Sequence, residues 1–334
     1  MSAQDGALTW LLEEGQPSVR YFALTGLLGR SEADPEVREA RSAIPSIGWA
    51  KEVMDRRRPG GFWEEERSLY QPKYSATNWM LLVLADLGLT KADPRVDASC
   101  RLWIDRFAAD DGGFAGSSEK GAKRGHLCTT GNAARALVKF GYVDHPRVKS
   151  AFEWFVKSQS ELGGWSCFNY GERAKGRNLD SWEPLSAFAV YPRQKWTRGM
   201  KGAVEKGAEF FLQRELHRQG ERYEPWYLFH YPVHYYYDIL VGLDFMTALG
   251  YTTDRRMDYA VSLLKSKRRP DGRWLLDSVN PDPDSPQGRW DRDHPRQATV
   301  PFSLEVPGRP SKMVTLRALT VLARLGEWGA GSGR

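Results

Sequence analysis

The sequence has no apolar run near the roughly 18–20 residues that a bilayer crossing needs. Its longest apolar stretches, such as residues 80–85, are far shorter, so no transmembrane helix is expected. The first ten residues, MSAQDGALTW, carry an acid and no basic region, and no apolar core of signal-peptide length follows. That pattern reads as cytoplasmic. Cysteine is scarce: Cys100, Cys128 and Cys167 are an odd and small set, which excludes a disulfide framework and suits a reducing compartment. The net charge of +6 is small for 334 residues and is spread along the chain, without the concentrated basic face that nucleic-acid binding requires. Disorder is excluded by 41% hydrophobic and 27% charged residues. The feature in excess is aromatic: 13 Trp, 14 Tyr and 14 Phe are more than a core ordinarily takes.

The chain repeats itself. One phrase, a helix headed by Asp-Pro or a near equivalent and followed by a Gly-Gly-aromatic turn, recurs four times. It reads Asp34-Pro35-Glu36-Val37 leading to Gly60-Gly61-Phe62-Trp63, then Asp93-Pro94-Arg95-Val96 leading to Gly112-Gly113-Phe114. It returns as His145-Pro146-Arg147-Val148 before Gly163-Gly164-Trp165, and as Asp254-Arg255-Arg256-Met257 before Asp271-Gly272-Arg273-Trp274. Between these phrases lies a second, mostly apolar helix type that stops at Gly88, Gly141, Gly250 or Gly326, the residue expected just past a helix end. Gly88 and Gly141 are 53 residues apart and Gly250 lies about twice that further on, with a degenerate copy ending near Tyr191-Pro192 between them. The last interval is longer and holds an insertion at about 277–308, whose Pro and Asp content reads as a long loop within one domain spanning 1–334.

The Asp-Pro helices carry polar residues on one side (Glu36, Arg38, Glu39; Arg95, Asp97, Arg101), as water-facing outer helices do, whereas WMLLVLADL at 79–87 has almost no polar face. A closed double ring satisfies both patterns. Inner helices are predicted near 17–29, 74–88, 127–141, 180–191, 231–249 and 311–326, and the N-terminal helix around residues 7–13 is predicted to serve as outer partner of the last. The class is therefore all-α, an (α/α)6 toroid. An open HEAT-like solenoid is the alternative, because PSVRYFALTGLLG followed by DPEVREARSAI reads much like one such unit.

Gly-Gly-aromatic turns at about 50-residue spacing, each after an outer helix, resemble the repeats of the terpenoid cyclase and protein prenyltransferase superfamily over about residues 17–326. The resemblance implies an (α/α)6 toroid with a central cavity. It chooses the function weakly, since complement thioester domains and cobalamin carriers share that toroid. The Asp-x-Asp-Asp box of protonation-type cyclases is missing at every inner-helix start, as are the aspartate-rich helices that bind metal for diphosphate ionisation. Asp282, Asp284, Asp291 and Asp293 fall in the insertion and read as solvated loop acids.

In such a ring the inner-helix N-termini gather at one rim, where their partial positive charge favours anions. The residues there form a polar collar: Tyr74, Ser75 and Asn78; His126, Cys128, Thr129 and Asn132; Asp180, Trp182 and Glu183; His230, Tyr231, His234, Tyr235 and Asp238; Lys312 and Thr315. In protein prenyltransferases an acid and a cysteine two apart start one inner helix and a histidine starts the next. The resemblance places Cys128 at the cysteine, His126 at the acid and Asp180 at the histidine position, with acid and histidine exchanged. This set would leave zinc an open fourth position. The structural alternative is a packing cysteine and a capping histidine. Cys167 follows a turn on the same rim and is a substitute ligand; Cys100 reads as core.

The densest aromatic run is YEPWYLFHYPVHYYYD at 223–238. His230, His234 and Asp238 are spaced four apart, so a helix would stack them on one face, although Pro232 fits only a first turn. His234 with Asp238 is the candidate acid–base pair, with Glu183 beside it. Tyr74, Trp182, His230, Tyr231 and Tyr235 are the candidate substrate-binding residues. Aromatic faces can stabilise a carbocation, hold a prenyl chain or stack on a sugar. The sequence thus reads as an enzyme acting on an isoprenoid or other hydrophobic substrate, with or without zinc. A non-catalytic ligand- or protein-binding toroid and a carbohydrate-active (α/α)6 enzyme are the alternatives.

Overall fold

The repeated phrase becomes a repeated capping device. Asp34, Asp93 and Asp254 each accept a hydrogen bond on Oδ1 from the backbone N–H two residues on, and His145 does so through Nδ1. Each cap satisfies an orphan donor at the start of a helix, and Pro35, Pro94 and Pro146 in the first turn give up no bond. The computed structural model describes residues 3–116, 121–166, 179, 182–218, 220–234, 236–279 and 302–328.

In chain order the helices are α1 (Ala3–Leu11), α2 (Pro17–Phe22) continued by a π-helical turn at Ala23–Leu27, α3 (Pro35–Ala43), α4 (Gly48–Asp55) and α5 (Thr77–Asp86). Next come α6 (Pro94–Phe107), α7 (Leu127–Lys139), α8 (Pro146–Ser158), α9 (Glu183–Val190) and α10 (Arg198–Leu212). Then follow α11 (Ile239–Ala248), α12 (Asp258–Ser266) and α13 (Lys312–Arg324). Among the described residues the only β-pairings are isolated bridges. Helices α5, α7, α9, α11 and α13 pack each on the next, and α13 packs on α2 and its π-turn. Phe22 at the end of α2 lies against Gly88 just past α5, which completes the circle. Outside it, α4, α6, α8, α10 and α12 each pack on an inner helix. The (α/α)6 toroid is thus present, and the open solenoid is excluded by the contact of the last inner helix with the first.

Helix α1 lies against α13 and closes the outer layer, as expected. Ala7 and Leu11 are fully buried, and the Trp10 ring sits between the Arg273 guanidinium at 4.3 Å and the Lys312 ammonium at 4.7 Å. Lys312 also binds the Trp10 carbonyl and pairs with Glu13 at 2.9 Å.

The Gly-Gly-aromatic turns anchor each outer helix to an inner one. Gly61, Gly112, Gly163 and Gly272 all have φ between 80° and 97°, where a side chain would be strained. Two residues on, Trp63, Phe114, Trp165 and Trp274 are buried to 1% exposure or less. The equivalent aromatic of the first phrase is therefore Trp63 and not Phe62. The backbone N–H of Trp63, Phe114 and Trp274 donates to the hydroxyl of Thr77, Thr130 and Thr315 on the next inner helix, at 2.9–3.0 Å. The indoles of Trp63, Trp165 and Trp274 each donate to the carbonyl ten residues back, on the outer helix just left.

Two inner helices start where the sequence suggests, at Pro17 and Leu127, and the others start later. The predicted helix over 231–249 begins only at Ile239, because Pro232 lacks an N–H and constrains the residue before it. Asp238 is its N-cap, accepting from Val241 N–H at 2.7 Å. The described flanks of the insertion, 277–279 and 302–308, lie by the turn after Trp274; its residues 280–301 fall outside the described part.

Candidate functional site

The structure divides the predicted rim residues into two groups. His126, the N-cap of α7, is exposed, and Cys128 is half-buried. Asp180, the third proposed zinc ligand, lies outside the described residues, as do Cys167 and Tyr235. Among the described residues no three His, Cys, Asp or Glu side chains are placed to hold a metal ion. A catalytic zinc takes three protein ligands, so His126 and Cys128 do not by themselves form a zinc set.

The second group is buried inside the ring. In the segment 226–238 the described side chains Trp226, Tyr227, Phe229, His230, Tyr231, Val233, His234, Tyr236, Tyr237 and Asp238 are all buried. The central space expected to be an aromatic-lined cavity is therefore crossed by the chain's own aromatic segment. His234 stacks on Tyr74 at 5.3 Å and meets the edge of Trp79 at 5.2 Å, which ties the segment to α5. The Tyr74 and Tyr236 hydroxyls hydrogen-bond at 2.8 Å, and Tyr74 holds a φ of 69° just ahead of α5. A non-glycine residue kept in that region costs about 1–3 kcal/mol and persists only where its surroundings over-determine it. The Val233 carbonyl accepts from Arg135 Nη2 at 3.1 Å, which ties the segment to α7.

Within this setting Asp238 pairs with His230 and not with His234. His230 Nδ1 lies 2.6 Å from Asp238 Oδ2, and the His230 backbone N–H donates to the same oxygen at 3.0 Å. Asp238 thus holds three polar contacts at once: the Val241 N–H as helix cap, the His230 backbone N–H and the His230 imidazole. A carboxylate can only accept at Nδ1, so Nδ1 carries the proton of this bond, and in the neutral ring Nε2 holds the lone pair. Among the described residues Nε2 is buried and has no hydrogen-bond partner, and the same is true of both ring nitrogens of His234 and of the Tyr231 hydroxyl. Burial, and then the neighbouring His230, push the His234 pKa down to about 3, so its ring is neutral at pH 7. Burial raises the Tyr231 pKa well above its usual value, which keeps that hydroxyl protonated.

Trp182 caps the start of α9 from inside the ring, and the Arg135 guanidinium sits over it at 5.4 Å. Glu183, at the first position of α9, is 2% exposed. Gly131 lets this happen: a Cβ there would fall 2.3 Å from Glu183 Cβ, so α7 and α9 pack almost backbone to backbone.

Towards the C-terminal ends of the inner helices the side chains turn ionic. Asp86 pairs with Lys139 at 2.7 Å, and Asp244 pairs with Arg324 at 2.8 Å and Arg317 at 3.5 Å. Burial alone would raise the Asp86 pKa, but Lys139, Arg135 and Arg317 outweigh it and hold the carboxyl at about 2. These residues were not among the sequence candidates. Their signal was there to read, as single charges in otherwise apolar inner helices: Asp86 closing WMLLVLAD, Arg135 within ALVK-type surroundings, Asp244 amid α11.

No family model matches this chain, and no curated protein matches it. Among solved structures it is similar to the apo type II terpene cyclase MstE from Scytonema, at 15% identity and TM-score 0.47 over 97% of this chain and 98% of that one. A variant of MstE in complex with geranylgeranyl dihydroxybenzoate matches at 16% identity and TM-score 0.45, covering 97% and 96%. A protein from Actinoplanes matches at 16% identity and TM-score 0.48, covering 97% and 98%. The ring itself follows from the helix packing of this chain. No helix among the described residues is long and apolar enough to cross a membrane.

Proposed function

We propose that this chain is an enzyme that carries out acid–base chemistry on an isoprenoid or other hydrophobic small molecule held in the aromatic middle of its ring. The observation that carries this reading is the His230–Asp238 pair, buried among aromatic rings with its Nε2 bare. In that role Nε2 takes the substrate proton, and Asp238 holds the imidazole in its tautomer and steadies the imidazolium that forms. His234 is a neutral polar wall, and Tyr74, Trp79, Trp182 and Tyr231 offer ring faces that favour an apolar chain and a developing positive charge. Glu183, at the start of α9, contributes charge near Arg135.

The test is incubation with linear C15 and C20 isoprenoid acids and alcohols, followed by mass spectrometry of the extracted products. His230→Gln should lower turnover by roughly 10²–10⁴-fold, the usual contribution of a positioned base. Asp238→Asn, which keeps the helix cap, should lower it in the same direction. Turnover unaffected in both variants would refute the assignment. Metal analysis of the protein and of Cys128→Ala separates a zinc-assisted version, in which Asp180 completes His126 and Cys128.

A second reading, a non-catalytic binding ring, is favoured by one observation: the segment 226–238 itself packs inside the ring. Stoichiometric binding of these probes without any product would support it.

A further inference from the structure

Arg135 is the anomaly of the bore. It is 6% exposed, lies one turn beyond Gly131 on α7, and among the described residues its guanidinium hydrogen-bonds only to neutral acceptors, Asn132 Oδ1 and the Val233 carbonyl, both at 3.1 Å. Its Nε is buried without a hydrogen bond. The other bore cations described each have a carboxylate partner within 4 Å: Lys139 has Asp86, and Arg317 and Arg324 have Asp244. Arg135 has none among the described residues, although Asp86, Glu183 and Asp244 act on it from further away. A buried guanidinium without an anion is expensive, and such charges in proteins are paired or belong to a site. A second buried donor without a hydrogen bond among the described residues, the Tyr231 hydroxyl, belongs to the same segment, two residues before the Val233 carbonyl that Arg135 holds.

We infer that Arg135 and Tyr231 form the head-group subsite of the substrate, and that the substrate is an apolar molecule ending in a single carboxylate. This rests on the acid–base reading above and names the class of molecule that reading leaves open. The unsatisfied atoms of Arg135 and Tyr231 both donate: Nε–H of Arg135 and O–H of Tyr231. Together they fit two lone pairs of one carboxylate. The charge count selects a monoanion. One guanidinium lacks a partner, and Asp86, Glu183 and Asp244 stand close enough to repel further negative charge, so a diphosphate would bring more charge than the site offsets. The aromatic residues of the same interior, among them Trp182, Tyr74 and Trp79, then take the apolar body.

The experiment compares three C15 probes that share one isoprenoid chain: farnesoic acid, farnesol and farnesyl diphosphate. Affinities are read at pH 7.5 from tryptophan fluorescence and from the shift in melting temperature. The acid should bind roughly 10- to 100-fold more tightly than the alcohol, the usual worth of charge-assisted hydrogen bonds, and no less tightly than the diphosphate. Arg135→Gln should bring the acid down to the alcohol's affinity and leave the alcohol unchanged. Because that variant also loses the bond to the Val233 carbonyl, Tyr231→Phe provides a milder one, which should weaken the acid severalfold and spare the alcohol. Equal affinity for acid and alcohol, or a preference that survives both substitutions, overturns the head-group subsite while the apolar site stands. Diphosphate binding tighter than acid overturns the monoanion. Failure of all three probes to bind overturns the subsite and the reading it rests on together.

Discussion

Lowering the pH from 7.5 to 5 should destabilise this protein through His234 alone by an amount that can be worked from the structure. The ring is wedged between Tyr74 and Trp79 with both nitrogens unbonded, and its pKa falls from 6.5 to about 3. A histidine whose folded pKa is depressed binds fewer protons than the unfolded chain between those two values, so stability is full above pH 6.5 and is lost as the pH falls towards 3. Linkage gives a loss of about 2 kcal/mol at pH 5 and about 3 kcal/mol at pH 4. For a chain of this size the unfolding entropy is roughly 0.7 kcal/mol/K, so the pH 5 loss appears as a fall in melting temperature of about 3 °C. Asp86, with its pKa of about 2 against an ordinary 3.8, adds almost nothing at pH 5 because both states are still ionised there. Glu305 is raised by burial and works in the opposite sense, gaining stability as the pH falls. The control is therefore His234→Phe, which leaves both carboxyls in place and keeps an aromatic ring between Tyr74 and Trp79. Melting curves of the two proteins from pH 7.5 to 5 should diverge by about 3 °C, with the variant at least as stable at pH 7.5 because no hydrogen bond is given up. Parallel pH profiles would refute the burial of a neutral His234.

Gly131→Ala should destabilise the ring by about 1–3 kcal/mol despite its gain in helix propensity, because the new Cβ would sit 2.3 Å from Glu183 Cβ and force α7 from α9; urea unfolding measures it, and an unchanged midpoint would contradict the close packing. Removing residues 1–15 takes away Ala7, Leu11 and the Trp10 wedge between Arg273 and Lys312, so the melting temperature should drop by about 5 °C, equivalent to roughly 3–5 kcal/mol of buried contacts. An unchanged melting curve would count against closure of the outer layer by α1.

The architecture was legible in the sequence because its signals are local and repeat. A cap at Asp34, Asp93 and Asp254, a left-handed glycine at the turns and a stop at Gly88, Gly141 and Gly250 are each set within a few residues, and recurrence at about 53 residues turns them into a ring. The closing helix was legible too, since an unpartnered inner helix at the far end calls for an outer one. The site was legible only as a list. His230, Tyr231, His234 and Asp238 were marked by composition, but their i, i+4 spacing suggested a helical stack in which His234 meets Asp238. Tertiary structure decided otherwise: Pro232 keeps 231–238 out of the helix, and the chain turns back so that His230, eight residues away, reaches the carboxylate. Arg135 stands in the sequence as a single charge in an otherwise apolar inner helix, but that alone does not single it out, because one basic residue in a helix is ordinarily solvated. What makes it a candidate is that α9 approaches across Gly131 and the buried residues around Val233 pack against it, leaving a charge in low dielectric with no carboxylate beside it among the described residues. Local conformation is written in neighbouring residues; desolvation depends on which distant segments arrive to exclude water, and only the folded chain decides that.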